Sequence, residues 1–380
     1  MRCLALVTDA FGGTGGIAQY NRDFLTALAA VDEVAEIVVL PRKAQPLTVM
    51  LPSKLTQLEP RPARRAFSMA ALGMARRTPR FDVVFCGHIL MAPLGALLAR
   101  QMGAKLWLQV HGVDAWDQPS RLNRWGTESA DLITSVSRYT RDRMLGSWAR
   151  VGPWQIRVLP NTVGTAFTPG VAPLELKSRY GLGERRVLLT ISRLSRNDRY
   201  KGQSRVIAVM PALLRAIPDL VYLIGGDGDD VPFLKQLAID AGVADSVVFA
   251  GVIPANEIVG HYRLATAFIM PSTKEGFGIV FLEAASCGIA VIGGNVDGSW
   301  DALREGLLGS AINPDDQGQI VDAVINCFTN GRVPDAALVE AFSIENFQHH
   351  VADLARGLMG KGAPVALSKY RPAARPDNAA

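Results

Sequence analysis

The residues from Ala267 to Gly288 read Ala-Phe-Ile-Met-Pro-Ser-Thr-Lys-Glu-Gly-Phe-Gly-Ile-Val-Phe-Leu-Glu-Ala-Ala-Ser-Cys-Gly. That is an apolar run of strand length, a loop with glycines, and a helix opening near Gly278. Such a loop presents free backbone N–H groups and the positive end of a helix to an anion, and its glycines let the main chain approach closely. A diphosphate is the natural guest, met by the backbone at Phe277, Gly278 and Ile279. Glu275 falls just before the helix and Glu283 on its second turn, so the two carboxylates would meet different parts of one extended ligand, one a sugar and the other a ribose. The plain alternative is a core helix that uses Glu283 for an internal salt bridge, with Glu275 an ordinary loop acid.

Two cations fit the same guest. Arg193 follows the apolar run Leu188 to Ile191, and Lys201 lies close behind it in sequence. Together they can neutralise a leaving nucleotide diphosphate, where negative charge grows as the bond to it breaks. Either alone would be a surface charge. His111 ends another apolar run and precedes Gly112; its ring could face a cleft, or could be bonded within its own loop.

Other patterns compete. Asp227-Gly228-Asp229 matches a metal-holding D-x-D, although here it ends a strand as Gly-Gly-Asp-Gly-Asp, and no metal site is expected. Gly13-Thr-Gly15-Gly16-Ile-Ala18 fits the dinucleotide fingerprint G-x-G-x-x-A, which makes a dehydrogenase a rival. Against it, the second strand runs into Pro41-Arg42 with no acid to take a ribose, and the Glu275 to Glu283 segment stays unexplained. Gly15 and Gly16 would instead let the first loop approach the diphosphate. The run Gly293 to Ser299 should form a further cleft loop or simply a turn.

These residues need strands that end together. Apolar runs at Leu4–Val7, Ile37–Leu40, Val83–Cys86, Leu106–Val110 and Leu132–Val136 alternate with helical patterns, and a second series follows at Val187–Ile191, Leu220–Ile224, Val247–Phe249, Ala267–Met270 and Ala290–Ile292. That rhythm predicts two α/β domains, each a doubly wound parallel sheet. A chain of 380 residues also exceeds what one core usually organises. Pro160, Asn161 and Gly164 suggest the hinge, giving a first domain over residues 1–165, a second over 166–342, a helix at 343–360 crossing back, and a flexible tail over 361–380. Open parallel sheets bind ligands beyond the carboxyl ends of their strands, which is where the candidate residues fall.

Composition is that of a folded enzyme, with 49% hydrophobic and 20% charged residues. No apolar run approaches the roughly 20 residues of a membrane span, and Ile89 to Ala99, interrupted by Pro93 and Gly95, predicts a buried helix. A cytoplasmic location is expected. The four cysteines are scattered in apolar surroundings without ligand spacing, which predicts reduced core thiols. The basic excess lies in residues 1–150, with 19 Lys and Arg against 12 Asp and Glu. Much of it is Arg61, Arg64, Arg65, Arg76, Arg77 and Arg80 around the stretch Ala66 to Ala75. This is either a helix for an anionic membrane surface or a solvated face, and its few aromatics disfavour a nucleic-acid platform.

Glu275 and Glu283, separated by seven residues around Gly-Phe-Gly-Ile-Val, resemble the E-x7-E motif of the family 4 retaining glycosyltransferases. Gly12 to Ala18 resembles that family's glycine-rich first loop, Val110-His111-Gly112 its histidine loop, and Arg193 with Lys201-Gly202 its phosphate-binding basic pair. Four motifs agree in order over nearly the whole chain. The resemblance implies the GT-B fold, with two Rossmann-like domains across a cleft, and a retaining, metal-independent transferase without cofactor whose nucleotide-sugar donor is a substrate. It implies that His111 and Glu275 act at the transferred sugar and that the backbone around Ile253 faces the base. The donor favoured is GDP-mannose, with a UDP-hexose as alternative. The acceptor expected is a lipid-linked saccharide or glycolipid in bacterial polysaccharide assembly, exopolysaccharide included, met by a protein peripheral at the inner membrane face. A nucleotide-sugar hydrolase or epimerase, an NADP-dependent oxidoreductase and a non-catalytic nucleotide-sugar binder are the rivals.

Overall fold

The computed structural model describes residues 1–44, 50–76, 79–331 and 333–360. Arg77 and the tail expected over 361–380 lie outside the described residues. The first domain is built on seven parallel strands, β1 (Arg2–Val7), β2 (Glu36–Pro41), β3 (Leu55–Gln57), β4 (Val83–Cys86), β5 (Lys105–Val110), β6 (Leu132–Ser135) and β7 (Ile156–Val158). They lie in the order β3-β2-β1-β4-β5-β6-β7. The second domain has β8 (Arg186–Ile191), β9 (Leu220–Gly225), β10 (Val247–Gly251), β11 (Ala267–Met270), β12 (Ala290–Gly294) and β13 (Ser310–Ile312), in the order β10-β9-β8-β11-β12-β13 and again all parallel.

Nearly continuous burial along β1, β4, β5, β9 and β11 follows from helices covering both faces, which is why their sequences read as unbroken Val, Leu and Ile rather than alternating. In each sheet the chain leaves its first strand toward one edge and returns to the other side, between β1 and β4 and between β8 and β11. Loops leaving such neighbouring strands in opposite directions cannot cover the gap between them, so a crevice opens at each switch point. The loops after β1, β8 and β11 carry Gly15, Arg193 and Glu275.

The apolar stretch from Ile89 divides into a single 3-10 turn, Ile89–Met91, and a helix, Ala92–Met102, with Pro93 in its first turn, where a missing N–H costs nothing. All four cysteines are free and buried. Three strands of three residues, β3, β7 and β13, are too short to show a period in the sequence, and each sits at a sheet edge, paired on one side only.

The last helix, Ile344–Leu358, is capped by Ser343, whose hydroxyl accepts from Asn346 N. It buries Phe347, Val351, Leu354 and Ala355 at helical spacing, and packs on the first domain's helix Gly16–Ala29. The Phe347 ring meets Tyr20 edge-on with centroids 5.9 Å apart, and Arg356 pairs with Glu33 at 2.9 Å. One apolar cluster therefore runs from Phe24 and Trp107 through Phe347 to Phe277 and Phe281 of the second domain. Phe347→Ala should cost about 3–5 kcal/mol of stability, read as a lower midpoint in urea. A change below about 1 kcal/mol would mean that the helix is not anchored by this ring.

Candidate active site

His111 closes β5, and its main chain is set by Asp114, whose Oδ1 accepts from His111 N at 3.0 Å. The ring lies 2.9 Å through Nε2 from the carbonyl oxygen of Gly87, the residue that follows β4. A ring nitrogen facing a carbonyl must carry the proton, so Nδ1 keeps a lone pair. Burial lowers the His111 pKa, with the Asp114 charge opposing it, and the ring is neutral near pH 7. Tyr20 packs edge-on against it at 5.2 Å. The Tyr20 hydroxyl is itself held by Gln109 Oε1 at 2.9 Å, so the ring that backs His111 is fixed from inside the sheet.

Gly112 then turns with φ 131, and the two domains touch here. A methyl group on Gly112 would stand 2.4 Å from Gly276 Cα, and one on Gly276 would stand 1.9 Å from the His111 carbonyl oxygen. Only glycine at both positions lets the histidine loop lie on the Glu275 loop. The structure thereby brings His111 and Glu275, distant in sequence, to one junction.

Glu275 is fixed more firmly than its loop suggests. Its N–H donates to Asp297 Oδ2 at 2.6 Å, and its carbonyl accepts from Gly298 N at 2.8 Å. Asp297 is fully buried and also accepts from the Ser272 hydroxyl at 2.8 Å and from Ser299 N at 2.9 Å. Burial pushes its pKa up to about 6, against the pull of those bonds. The run Gly293 to Ser299 is thus more than a turn. An acid in Val-Asp-Gly-Ser behind a strand was the available signal, but nothing in the sequence says which backbone it would grip.

The Glu275 carboxylate forms an ion pair with Lys201, both side chains being mostly buried at 15% and 14% exposure. Lys201 ends a 3-10 turn, Arg196–Lys201, that opens behind β8 and carries the Ser195 cap. Arg193 is in the same corner but open to solvent, 78% exposed, reaching the buried Asp198 at 3.2 Å. Tyr200 completes the corner, its ring 5.5 Å from Lys201 Nζ and its carbonyl accepting from Thr273 N at 3.0 Å. The basic pair is therefore unequal: each cation has a carboxylate partner, but Lys201 is mostly buried against Glu275 whereas Arg193 is open to solvent beside Asp198.

Gly278 caps the helix Ile279–Ser286 with φ 87, and no side chain caps that end. Ile279 is half-buried at the first turn. Phe277 is buried, its ring against Phe342 at 5.8 Å, so what it can offer a ligand is its backbone. Gly15 and Gly16 open the helix Gly16–Ala29 into free space, with nothing within 4 Å of a methyl group built on either. Ile253 packs over Gly225, at the end of β9.

Glu283 is turned inward rather than toward an open cleft. Its Oε2 accepts from the Tyr262 hydroxyl at 2.6 Å, and its pKa is pushed up to about 7 by burial, with the Asp23 charge adding to the rise. Asp23, raised to about 6 by burial and held by Gln19 at 2.9 Å, belongs to the first domain's helix, so two acids approach across the domain boundary. The D-x-D acids are occupied locally. Asp227 Oδ1 accepts from Gly228 N at 2.8 Å and Asp229 Oδ1 from Arg196 N at 3.0 Å. No group of three or more His, Cys, Asp or Glu gathers to hold a metal among the described residues.

Two family models match the chain, Glycosyltransferase Family 4 over residues 14–167 and Glycosyl transferases group 1 over residues 175–341. The GDP-mannose-dependent alpha-(1-6)-phosphatidylinositol monomannoside mannosyltransferase of Mycolicibacterium smegmatis is 34% identical, over 94% of this chain and 98% of its own length. The chain belongs to the family 4 glycosyltransferases. A second mannosyltransferase, from Corynebacterium glutamicum and named for a monoacylated alpha-(1-6)-phosphatidylinositol monomannoside, is 30% identical over 78% of this chain and 81% of its own. Among solved structures, HepE of Anabaena in complex with UDP and glucose superposes with TM-score 0.75 at 18% identity, covering 94% of this chain and 100% of that one. Sucrose-phosphate synthase of Thermosynechococcus elongatus does so with TM-score 0.74 at 21% identity, over 95% and 100%. The fold of this glycosyltransferase is GT-B, two parallel-sheet domains facing a cleft.

Glu283 gives the site a stability signature. A carboxyl raised from its usual 4.5 to about 7 in the folded state binds a proton more tightly folded than unfolded. Its favourable contribution is complete below about pH 4.5 and lost as pH rises through about 7. Glu283→Gln keeps an acceptor for Tyr262 and removes the charge, so its urea stability should be flatter than the wild type's between those limits and higher above pH 7. Parallel curves for the two proteins would contradict this placement.

Proposed function

We propose that this glycosyltransferase is a retaining, metal-independent mannosyltransferase that uses GDP-mannose to extend a lipid-linked saccharide or glycolipid, with a phosphatidylinositol mannoside as the model acceptor. The observation that carries the reading is the Lys201–Glu275 pair lying at the glycine contact with His111, within a chain that matches a GDP-mannose-dependent enzyme over nearly its full length. It also supports a domain division near residue 165, with the last helix returned to the first domain.

In this reading the diphosphate lies between the open end of the Ile279–Ser286 helix and the cations. Arg193 meets it directly, and the phosphate competes with Glu275 for Lys201, which frees the carboxylate toward the sugar. Charge that grows on the leaving diphosphate is matched by two cations and the helix amides, so electrostatic stabilisation needs no metal. Gly15 and Gly16 let the first domain's helix approach from the other side. His111, neutral and with its Nδ1 lone pair available, accepts from a sugar hydroxyl and orients the ring. Glu275 stabilises the positive charge that develops at the anomeric carbon, while the departing phosphate takes the acceptor proton on the same face. Backbone at Ile253 borders the base, and Glu283 reaches the ribose only after exchanging its bond to Tyr262.

The acceptor side fits the distribution of charge. Arg64 and Arg65 are exposed on the helix Arg64–Met74, where Phe67 and Ala71 turn inward and Met69 stays 73% exposed. No helix among the described residues is long and apolar enough to cross a membrane. The reading is of a peripheral enzyme whose basic face meets an anionic bilayer. Vesicles containing phosphatidylglycerol should then retain the protein at low salt and release it near 1 M salt, where the screening length shrinks to about 3 Å. Retention that ignores lipid charge would count against this face.

Titration calorimetry with GDP, GDP-mannose, UDP and UDP-glucose in EDTA tests the donor site. Micromolar binding of the guanine pair alone is expected. Lys201→Ala should weaken GDP binding by about tenfold, as a lost charge-assisted contact would, whereas Glu275→Ala should leave it near wild type and lower mannosyl transfer by a hundredfold or more, on the order of a lost transition-state stabiliser. Equal losses of GDP affinity in both variants would undo the division of roles, and binding of NADPH in place of any nucleotide sugar would overturn the function.

A further inference from the structure

Arg138 is the first residue of the helix Arg138–Ser147, which leaves β6 in the first domain under a Ser137 cap. Its Nε donates to Asp301 Oδ1 at 2.5 Å, and the next backbone N–H, that of Tyr139, donates to Asp301 Oδ2 at 3.1 Å. Asp301 belongs to the short helix Ser299–Ala302 of the second domain. A second ion pair joins Arg138 to Glu305. The side chains of Asp301 and Glu305 are 8% and 6% exposed and that of Arg138 20%, so this is no solvated surface pair of negligible worth.

Two further observations single it out. Among the described residues the only non-glycine residues with positive φ are Arg304, at 48, and Glu305, at 60. Side chains avoid that conformation unless the surroundings hold them there, and here the Glu305 carboxylate is held by an arginine of the other domain. The same short run also sets the site: Asp297 and Gly298 fix the main chain of Glu275, and Asp301, three residues on from Gly298, grips the first domain. On the other side, β6 is the neighbour of β5, which His111 directly follows.

We infer that Arg138, Asp301 and Glu305 form an interdomain clamp, and that Arg138 is a positioning residue which sets His111 against Glu275 in the arrangement that reacts. The ion pairs of the clamp join Arg138 to Asp301 and Glu305, none of them a residue assigned to the nucleotide, so breaking it separates closure from binding. It rests on the transferase reading for its effect on rate, and on the structure alone for its effect on shape.

Arg138→Ala and the near-isosteric Asp301→Asn test it, with small-angle scattering of the unliganded proteins, calorimetric GDP binding, and kcat and KM for GDP-mannose. Both variants should have a larger radius of gyration than wild type, a GDP affinity within about threefold of it, and kcat lowered by about a hundredfold, the scale expected for a misplacement near 1 Å. Arg138→Lys, which keeps the charge but not the fork of donors, should recover part of kcat. Unchanged dimensions and kcat in both variants would overturn the clamp, as would GDP affinity and kcat falling together. Failure of the wild type to bind GDP would strike the functional reading instead, and the comparison of dimensions would still decide the clamp.

Discussion

Everything in this site depends on two main chains touching. His111 and Glu275 sit on loops of separate domains, and these loops can lie on one another only because Gly112 and Gly276 carry no side chains. The contact is a steric condition rather than a source of binding energy: a methyl group at either position would have to displace backbone, which is the least yielding part of a packed protein. Around that contact the structure spends its hydrogen bonds on stiffness. Asp114 holds one loop, Asp297 and Gly298 hold the other, and both acids accept from backbone N–H groups.

The arrangement follows from parallel topology. A β-α-β sheet puts all its strand ends on one edge, and each switch in strand order opens a crevice there. Two such sheets facing each other yield a cleft lined by loops from β1, β4 and β5 on one wall and from β8, β9, β11 and β12 on the other. The returning helix Ile344–Leu358 closes the back. Phe347 lies against Tyr20 and Tyr20 against His111, so the final helix of the chain supports a ring supplied by its first half. Burial then sorts the ionisable groups. Asp23, Glu283 and Asp297 are pushed up by desolvation, whereas the Arg193 guanidinium stays in water, paired at its edge with Asp198.

The sequence carried the architecture because local signals repeat in it. Strand-length apolar runs, glycines behind them and a helix opening at Gly278 are each decided within a few residues, and the resulting order of elements dictates a doubly wound sheet. What it could not carry is set by contacts between distant segments. The three-residue strands β3, β7 and β13 owe their existence to a neighbour, so no period marks them. Asp297 looks like a loop acid until β12 places it under Glu275. Glu283 follows its motif in position but turns to Tyr262, a partner supplied by another helix. Phe277 stands amid residues that can present backbone to a phosphate, yet its ring completes the core against Phe342.

The pairing of Lys201 with Glu275 explains how such a site can hold like and unlike charges together at rest. A desolvated lysine and a desolvated carboxylate each carry a large solvation penalty, and each is the other's compensation. A diphosphate that takes the lysine must leave the carboxylate facing either water or positive charge. Positive charge is what develops on a sugar as its bond to phosphate lengthens. In the proposed reaction the same displacement couples recognition of the leaving group to exposure of the carboxylate that would stabilise the sugar. It is available only while Asp297 keeps the Glu275 backbone still, for a loop free to follow Lys201 would carry the carboxylate away from the sugar as the phosphate arrived.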